Sequence, residues 1–62
     1  MAPEHVLLVA IEIDAMLEAE IIDLETHRRC HDYIERHRPE IAAWLDTTMS
    51  VSDAADLIVE SV

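Results

Sequence analysis

The chain contains no glycine, no phenylalanine and no lysine, and only two prolines among its 62 residues. Without glycine, tight β-hairpin turns lose the residue that best adopts their left-handed backbone conformation. Disorder is also disfavoured, because 52% of the residues are hydrophobic and disordered chains are poor in large aliphatic side chains. The composition therefore predicts an all-α fold.

Cysteine occurs once, at Cys30, so a disulfide within the chain is excluded. A lone thiol is typical of proteins in reducing compartments, and we expect a cytoplasmic location. The apolar run after His5 is interrupted by Glu12 and Asp14 and follows no basic segment, which is atypical of a signal peptide. The run is also far shorter than the roughly 20 apolar residues of a membrane span. No membrane association is expected.

The length of the chain predicts one small acidic domain that covers residues 1–62. A single core of this size is only marginally stable without further support. Ala, Leu, Ile and Glu are abundant, and no internal repeat or linker interrupts the pattern. We expect a compact domain of three to four helices with a long first helix.

The first segment carries apolar residues at helical spacing on two faces. The first apolar stripe comprises Val6, Ala10, Ile13, Leu17 and Leu24, with Ile21 at its margin. The second apolar stripe, roughly opposite, comprises Leu8, Ile11, Ala15, Ala19 and Ile22. A chain this short covers one stripe with its own later helices. The natural cover for the second stripe is another copy of the chain, so we predict a homodimer with an isologous interface.

Residues 5–13 also fit a β-strand. Leu7, Val9, Ile11 and Ile13 occupy alternate positions, and β-branched residues are frequent in this segment. A single strand requires a hydrogen-bonding partner, and the tail of the chain, as the remaining candidate, has stronger helix signals. The alternative architecture is therefore an N-terminal strand that pairs across a dimer, combined with helices.

Three further helices are indicated after the first segment. One covers about residues 26–37 and ends before Pro39, because a residue that precedes proline avoids the helical conformation. The next begins at Pro39, and Trp44 is expected to anchor the core as the largest apolar side chain. The inward-facing residues of this helix are Ile41, Trp44 and Leu45. The last helix begins at an N-cap supplied by Ser50 or Ser52. Its inward-facing residues are Ala54, Leu57, Ile58 and Val62.

Residues 25–38 (ETHRRCHDYIERHR) hold all four arginines and three of the four histidines. This segment either continues the first helix or follows a kink near residues 25–27. Its charges pair at helical i, i+4 spacing, as Glu25–Arg29, Arg28–Asp32 and Asp32–Arg36. We interpret the segment as a salt-bridged outer face. Direct binding to nucleic acid is not expected, because acids are interleaved with the arginines and the net charge of −10 opposes contact with phosphates.

A metal site is a further interpretation of the same segment. His27 and His31 lie four residues apart on one helical face, with Cys30 beside His27, and nitrogen and sulfur donors suit Zn²⁺. A structural zinc site requires four ligands, but the chain has no second cluster of Cys or His. Such a site would have to be completed across a dimer. We therefore expect no cofactor and keep a metal-bridged dimer through His27, Cys30 and His31 only as an alternative function.

Ten of the fourteen acids lie at positions 4–23 and 46–60, where there is no Lys or Arg. A rigid helix with rows of carboxylates can occupy a basic groove on a nucleic-acid-binding protein by imitating phosphates. We hypothesise a non-enzymatic inhibitor or regulator that contacts a basic protein partner. Its partner-binding residues are Glu12, Asp14, Glu18, Glu20, Asp23, Asp53, Asp56 and Glu60.

Two other views of function remain at this point. No catalytic residues are predicted, because a small helical domain without glycine has few ways to form a concave pocket. An enzyme is therefore not expected. The alternative function is a structural homodimerisation or assembly module that acts through its apolar stripes. In that case the carboxylates form a solvated surface that keeps the protein soluble.

Overall fold

The structure, a computed structural model, describes residues 4–47 and 49–62. Four helices follow one another along the chain: α1 (Glu4–Glu18), α2 (Leu24–Arg36), α3 (Arg38–Asp46) and α4 (Val51–Ser61). No strand occurs within the described ranges, so the all-α prediction is confirmed. The strand interpretation of residues 5–13 is wrong, because α1 covers that whole segment.

The core lies between α1 and the three later helices, each of which α1 contacts. Aliphatic side chains fill its centre, and the largest fully buried ones are Ile13, Ile41, Ile58 and Val9, together with Cys30. Trp44, which we expected to anchor the core, is only half-buried and packs against the margin of this cluster. On α4, Ala54 and Ile58 point inward as predicted. Leu57 and Val62 do not, and their exposed fractions are 38% and 36%.

Helix α1 ends at Glu18 through a Schellman motif, in which a left-handed residue lets two backbone bonds close the last turn. Glu20 adopts a positive φ of 61°. Its N–H donates to the carbonyl of Leu17 at 3.0 Å, and the N–H of Ile21 donates to the carbonyl of Met16 at 2.9 Å. The first apolar stripe was predicted to run on to Leu24. The turn interrupts the stripe, so Ile21 and Leu24 are 66% and 65% exposed.

Replacement of Glu20 by glycine is expected to stabilise the fold. The left-handed conformation costs a non-glycine residue about 1–2 kcal/mol, and the extra freedom of glycine in the unfolded chain offsets part of the gain, leaving about 0.5–1 kcal/mol. Urea denaturation followed by circular dichroism measures this difference. The matched control is Glu12→Gly inside α1, which should instead destabilise by about 1 kcal/mol. Destabilisation by both substitutions would contradict the left-handed turn.

Helix α2 begins at an N-cap residue, Asp23, whose carboxylate accepts a hydrogen bond from the N–H of Thr26 at 2.8 Å. Hydrogen bonding from Thr26, through its side chain first and its backbone N–H second, lowers the pKa of the Asp23 carboxyl below its ordinary value, because the ionised carboxylate is the better acceptor. At the other end, His37 is both the last cap of α2 and the first cap of α3. The chain turns there because Pro39 lacks the N–H that would continue α2.

Helix α4 begins at Val51, and its N-cap is Ser50, one of the two N-cap residues that the sequence predicts. The Ser50 hydroxyl accepts a hydrogen bond from the N–H of Asp53 at 3.1 Å, which satisfies one of the otherwise unpaired donors of the first turn. The carboxylate of Asp53 lies in the same turn, where the helix dipole favours a negative charge. The buried side of α4 carries Ala54, Ala55 and Ile58.

Candidate functional site

The outward side of α1 is apolar over two helical turns. Leu7, Leu8 and Ile11 are 53%, 45% and 59% exposed, and Ala15 is exposed one turn further on. At 100° per residue these four positions fall within an arc of about 100°. We call this surface the α1 face. It lies opposite the buried side of the helix, which carries Val6, Val9, Ile13 and Met16.

Carboxylates border the α1 face on three sides. By helical position, Asp14 flanks one long edge, Glu12 flanks the other, and Glu18 lies at the C-terminal end. Asp14 and Glu18 are exposed, whereas Glu12 is half-buried. Because α1 contains no Lys or Arg, this rim is uniformly acidic. An apolar centre with a charged rim is the usual arrangement of a protein-interaction surface.

The second apolar stripe, predicted as a dimer interface, divides in the structure. Leu8, Ile11 and Ala15 lie on the α1 face, and Ala19 is exposed in the turn that follows. Ile22 does not belong with them. It is only 9% exposed and packs into the core of its own chain, because the turn after Glu18 directs residue 22 inward.

Leu7 belongs to the α1 face but was absent from both predicted stripes. The signal was present in the sequence, since Leu7 and Ile11 are four residues apart and therefore neighbours on a helix. The run VLLVAI obscured it, because apolar residues at consecutive positions fit more than one face.

The eight acids predicted to bind a partner are distributed over helices α1 and α4 and the turn between α1 and α2. Glu12, Asp14 and Glu18 border the α1 face, whereas Asp53, Asp56 and Glu60 are exposed on α4. The predicted set is therefore divided between two helices that pack against each other. The two remaining acids, Glu20 and Asp23, lie in the turn between α1 and α2 and are exposed.

The arginine-rich helix α2 carries ion pairs on its outer surface, as its spacing predicts. Arg29 donates to Glu25 at 2.9 Å, and Arg36 lies 3.4 Å from Asp32, both with more than 60% of each side chain exposed. The expected Arg28–Asp32 pair does not form within 4.0 Å among the residues that the structure describes. Exposed pairs of this kind contribute at most about 1 kcal/mol each.

His27 and His31 converge on Asp14 of the neighbouring helix. Nε2 of His27 donates to Oδ1 of Asp14 at 2.6 Å, and Nε2 of His31 donates to the same oxygen at 2.8 Å. The two rings are 4.4 Å apart, centre to centre. The side chains of His27, His31 and Asp14 are 22%, 37% and 55% exposed, so the cluster lies at the edge of the α1–α2 contact.

These hydrogen bonds lower the pKa of the Asp14 carboxyl below its ordinary value. The bond from His27 has the larger effect and the bond from His31 follows, while partial burial acts in the opposite direction. Asp14 is therefore ionised at neutral pH. The sequence paired His27 with His31 but could not add Asp14, because that contact depends on how α1 packs against α2.

Cys30 stands apart from the histidine cluster. Its side chain is fully buried among the aliphatic residues of the core, and burial raises the pKa of the thiol. Because the thiolate is the nucleophile and metal ligand, this cysteine is an inert packing residue at neutral pH. The structure therefore gives the predicted pair His27 and His31 a carboxylate neighbour in place of a sulfur one.

One open groove, with a volume of about 760 Å³, lies where the α1–α2 turn meets the end of α4. Its lining residues are Leu17, Glu20, Ile21, Ile22, Asp23, Thr26, Val59 and Val62. They combine apolar side chains with two carboxylates and carry no positive charge. The lining of this groove is therefore apolar and acidic.

Within the described residues, each helix is too short or too polar to cross a bilayer. No protein-family model, curated protein or solved structure matches the chain.

Proposed function

We propose that the chain is a non-enzymatic interaction module that binds a protein partner through the α1 face. The observation that carries this proposal is the exposure of Leu7, Leu8 and Ile11 on one side of a helix whose charged residues are all acidic. Contiguous exposed apolar side chains with a polar rim mark interaction sites more often than a solvated surface.

The chemistry of the α1 face supports a partner with an apolar groove that basic side chains border. An apolar groove would accept Leu7 and Ile11, and lysines or arginines along the groove would pair with Glu12, Asp14 and Glu18. Such complementarity speeds association and suppresses wrong partners, and it weakens as salt screens the charges. The basic surface of a nucleic-acid-binding protein has these properties, so an inhibitor or regulator of such a protein is the specific function we propose.

Charge reversal tests the role of the rim. The tagged chain captures partners from nuclease-treated host lysate, and a salt gradient elutes them. We expect a basic protein that elutes below about 0.5 M salt, because exposed charge contacts are screened on that scale. The double variant Glu12→Lys/Glu18→Lys should lose this protein, since it replaces two attractive contacts by repulsive ones, and it leaves Asp14 and its histidines intact.

The matched control is Asp56→Lys/Glu60→Lys, which changes the net charge equally on the exposed side of α4. It should retain the captured protein. Equal loss in both variants would mean that only the net charge matters, and loss in the α4 variant alone would transfer the contact to α4. Either result would overturn the assignment of the α1 face.

Homodimerisation through the same face is the second candidate function. Its support is the apolar area that Leu7, Leu8 and Ile11 leave uncovered in the single chain. Two such faces would bring acidic rims together, so a dimer should strengthen as salt rises. Sedimentation equilibrium at low and high salt measures this, and a monomer at all concentrations would exclude the dimer.

A further inference from the structure

We propose that Asp14, His27 and His31 form a three-ligand site for a divalent transition-metal ion of the zinc class. This inference does not depend on the proposed function, because it concerns the edge between α1 and α2 rather than the apolar centre of the α1 face. It differs from the site suggested by the sequence, since a carboxylate replaces Cys30 and all three ligands come from one chain.

The geometry brings three donor atoms to one point. His27 and His31 lie one helical turn apart on α2 and present Nε2 on the same side. Their donor atoms are 2.6 and 2.8 Å from Oδ1 of Asp14 on α1, and the donors of all three residues lie within 4.8 Å of one another. Two separate elements therefore supply the ligands, as metal sites in proteins generally require.

The donor chemistry favours Zn²⁺ and its neighbours. Imidazole nitrogen suits Zn, Cu, Fe and Ni, and a carboxylate completes the two-histidine, one-carboxylate sets of several zinc and iron sites. An ion bound at about 2.0–2.2 Å from each donor holds those donors roughly 3.3 Å apart. The Nε2–Oδ1 distances of 2.6 and 2.8 Å must therefore lengthen by about 0.7 and 0.5 Å, which small side-chain rotations achieve.

Metal binding changes the protonation of both histidines. Each Nε2 donates a proton to the hydrogen bond with Asp14 and must lose that proton before its lone pair can bind the metal. Each imidazole therefore takes the Nδ1–H tautomer or releases a proton. The ionised Asp14 carboxylate needs no such change. Since the three side chains are partly exposed, water reaches the ion and fills its remaining coordination position.

The consequence for the fold is a cross-link between the first two helices. A metal that binds the folded chain, in which α1 and α2 are docked, stabilises it by mass action. Residues 19–23 connect these helices along the chain, and the ion would add a second link between them, through Asp14 on α1 and the two histidines on α2. The ordinary alternative is a hydrogen-bonded trio without a metal, which predicts no response to zinc.

The test uses the full chain, freed of metal by chelator and titrated with zinc chloride by isothermal calorimetry. We expect one ion per chain and a melting temperature that rises with zinc. The variants Asp14→Asn, His27→Gln and His31→Gln should each weaken binding by more than the roughly 10- to 100-fold that loss of a supporting contact costs. The control His37→Gln removes a histidine outside the cluster and should leave the affinity unchanged.

A second readout needs no variant and so does not depend on how the variants fold. In long-range ¹H–¹⁵N spectra of the unaltered chain, Nε2 of His27 and His31 should shift on zinc addition, while the ring nitrogens of His5 and His37 should not. Weak binding of several ions per chain, or shifts spread over all four histidines, would overturn the site. So would tight binding that survives the double variant His27→Gln/His31→Gln.

Discussion

Replacement of Ile13 by alanine is expected to unfold a large part of the protein at 37 °C. Ile13 is fully buried at the centre of the core, and removing a buried isoleucine side chain to alanine costs about 2–5 kcal/mol. A single core in a chain of this size rarely supplies more than about 3–5 kcal/mol. The substitution therefore removes most of the stability, and urea denaturation followed by circular dichroism measures the loss.

Ile11→Ala is the matched control, with the same chemical change two positions earlier in α1. Because Ile11 is 59% exposed, its loss should change the free energy of unfolding by no more than about 0.5 kcal/mol. This contrast tests which side of α1 faces the core. Equal destabilisation by the two substitutions would mean that Ile11 is covered, and the α1 face would then not be a free surface.

The double substitution Leu7→Asp/Ile11→Asp is expected to abolish association with the partner while α1 stays helical. Both side chains belong to the α1 face, and truncation of a residue that dominates an interface costs about 2 kcal/mol or more. Two added carboxylates also place unpaired charge in a desolvated contact. The expected outcome is at least about a 100-fold weaker complex, which corresponds to about 2.7 kcal/mol.

Leu24→Asp is the control for this experiment. Leu24 is 65% exposed at the first position of α2 and belongs to a different helix from the α1 face, and an acid is favourable in the first turn of a helix. Binding should persist in this variant, as titration calorimetry with the captured partner would measure. A loss of binding equal to that of the double variant would show that exposed leucines contribute without regard to position.

Much of the fold could be predicted from the sequence, because its signals are local. The N-cap at Ser50 and the helix break before Pro39 each depend on a few neighbouring residues. They correctly placed the last helix and the boundary between α2 and α3. The absence of glycine disfavours tight turns wherever they could occur in the chain. The inward positions of Ile13, Ile41 and Ile58 followed from helical spacing alone.

The end of α1 could not be read from the sequence. The apolar pattern continued past Glu18, and a left-handed turn is usually marked by glycine or asparagine, whereas here Glu20 adopts it. Once the helix stops there, Ile22 turns into the core and Leu24 turns out. The misplacement of Ile21, Ile22 and Leu24 in the predicted stripes has this single origin.

The grouping of functional residues depended on tertiary packing. Asp14 approaches His27 and His31 only because α1 docks beside α2. Spacing along one helix predicted the histidine pair, but no local rule specifies which neighbouring helix supplies the third group.

The most direct test of the α1 face is a chemical-shift map of the ¹⁵N-labelled chain titrated with the captured partner. We expect the amide signals of residues 7–18 to shift or broaden, while those of residues 51–61 stay in place. Shifts confined to α4, or to the groove beside the end of α4, would contradict the assignment of the α1 face and place the interaction surface elsewhere on the molecule.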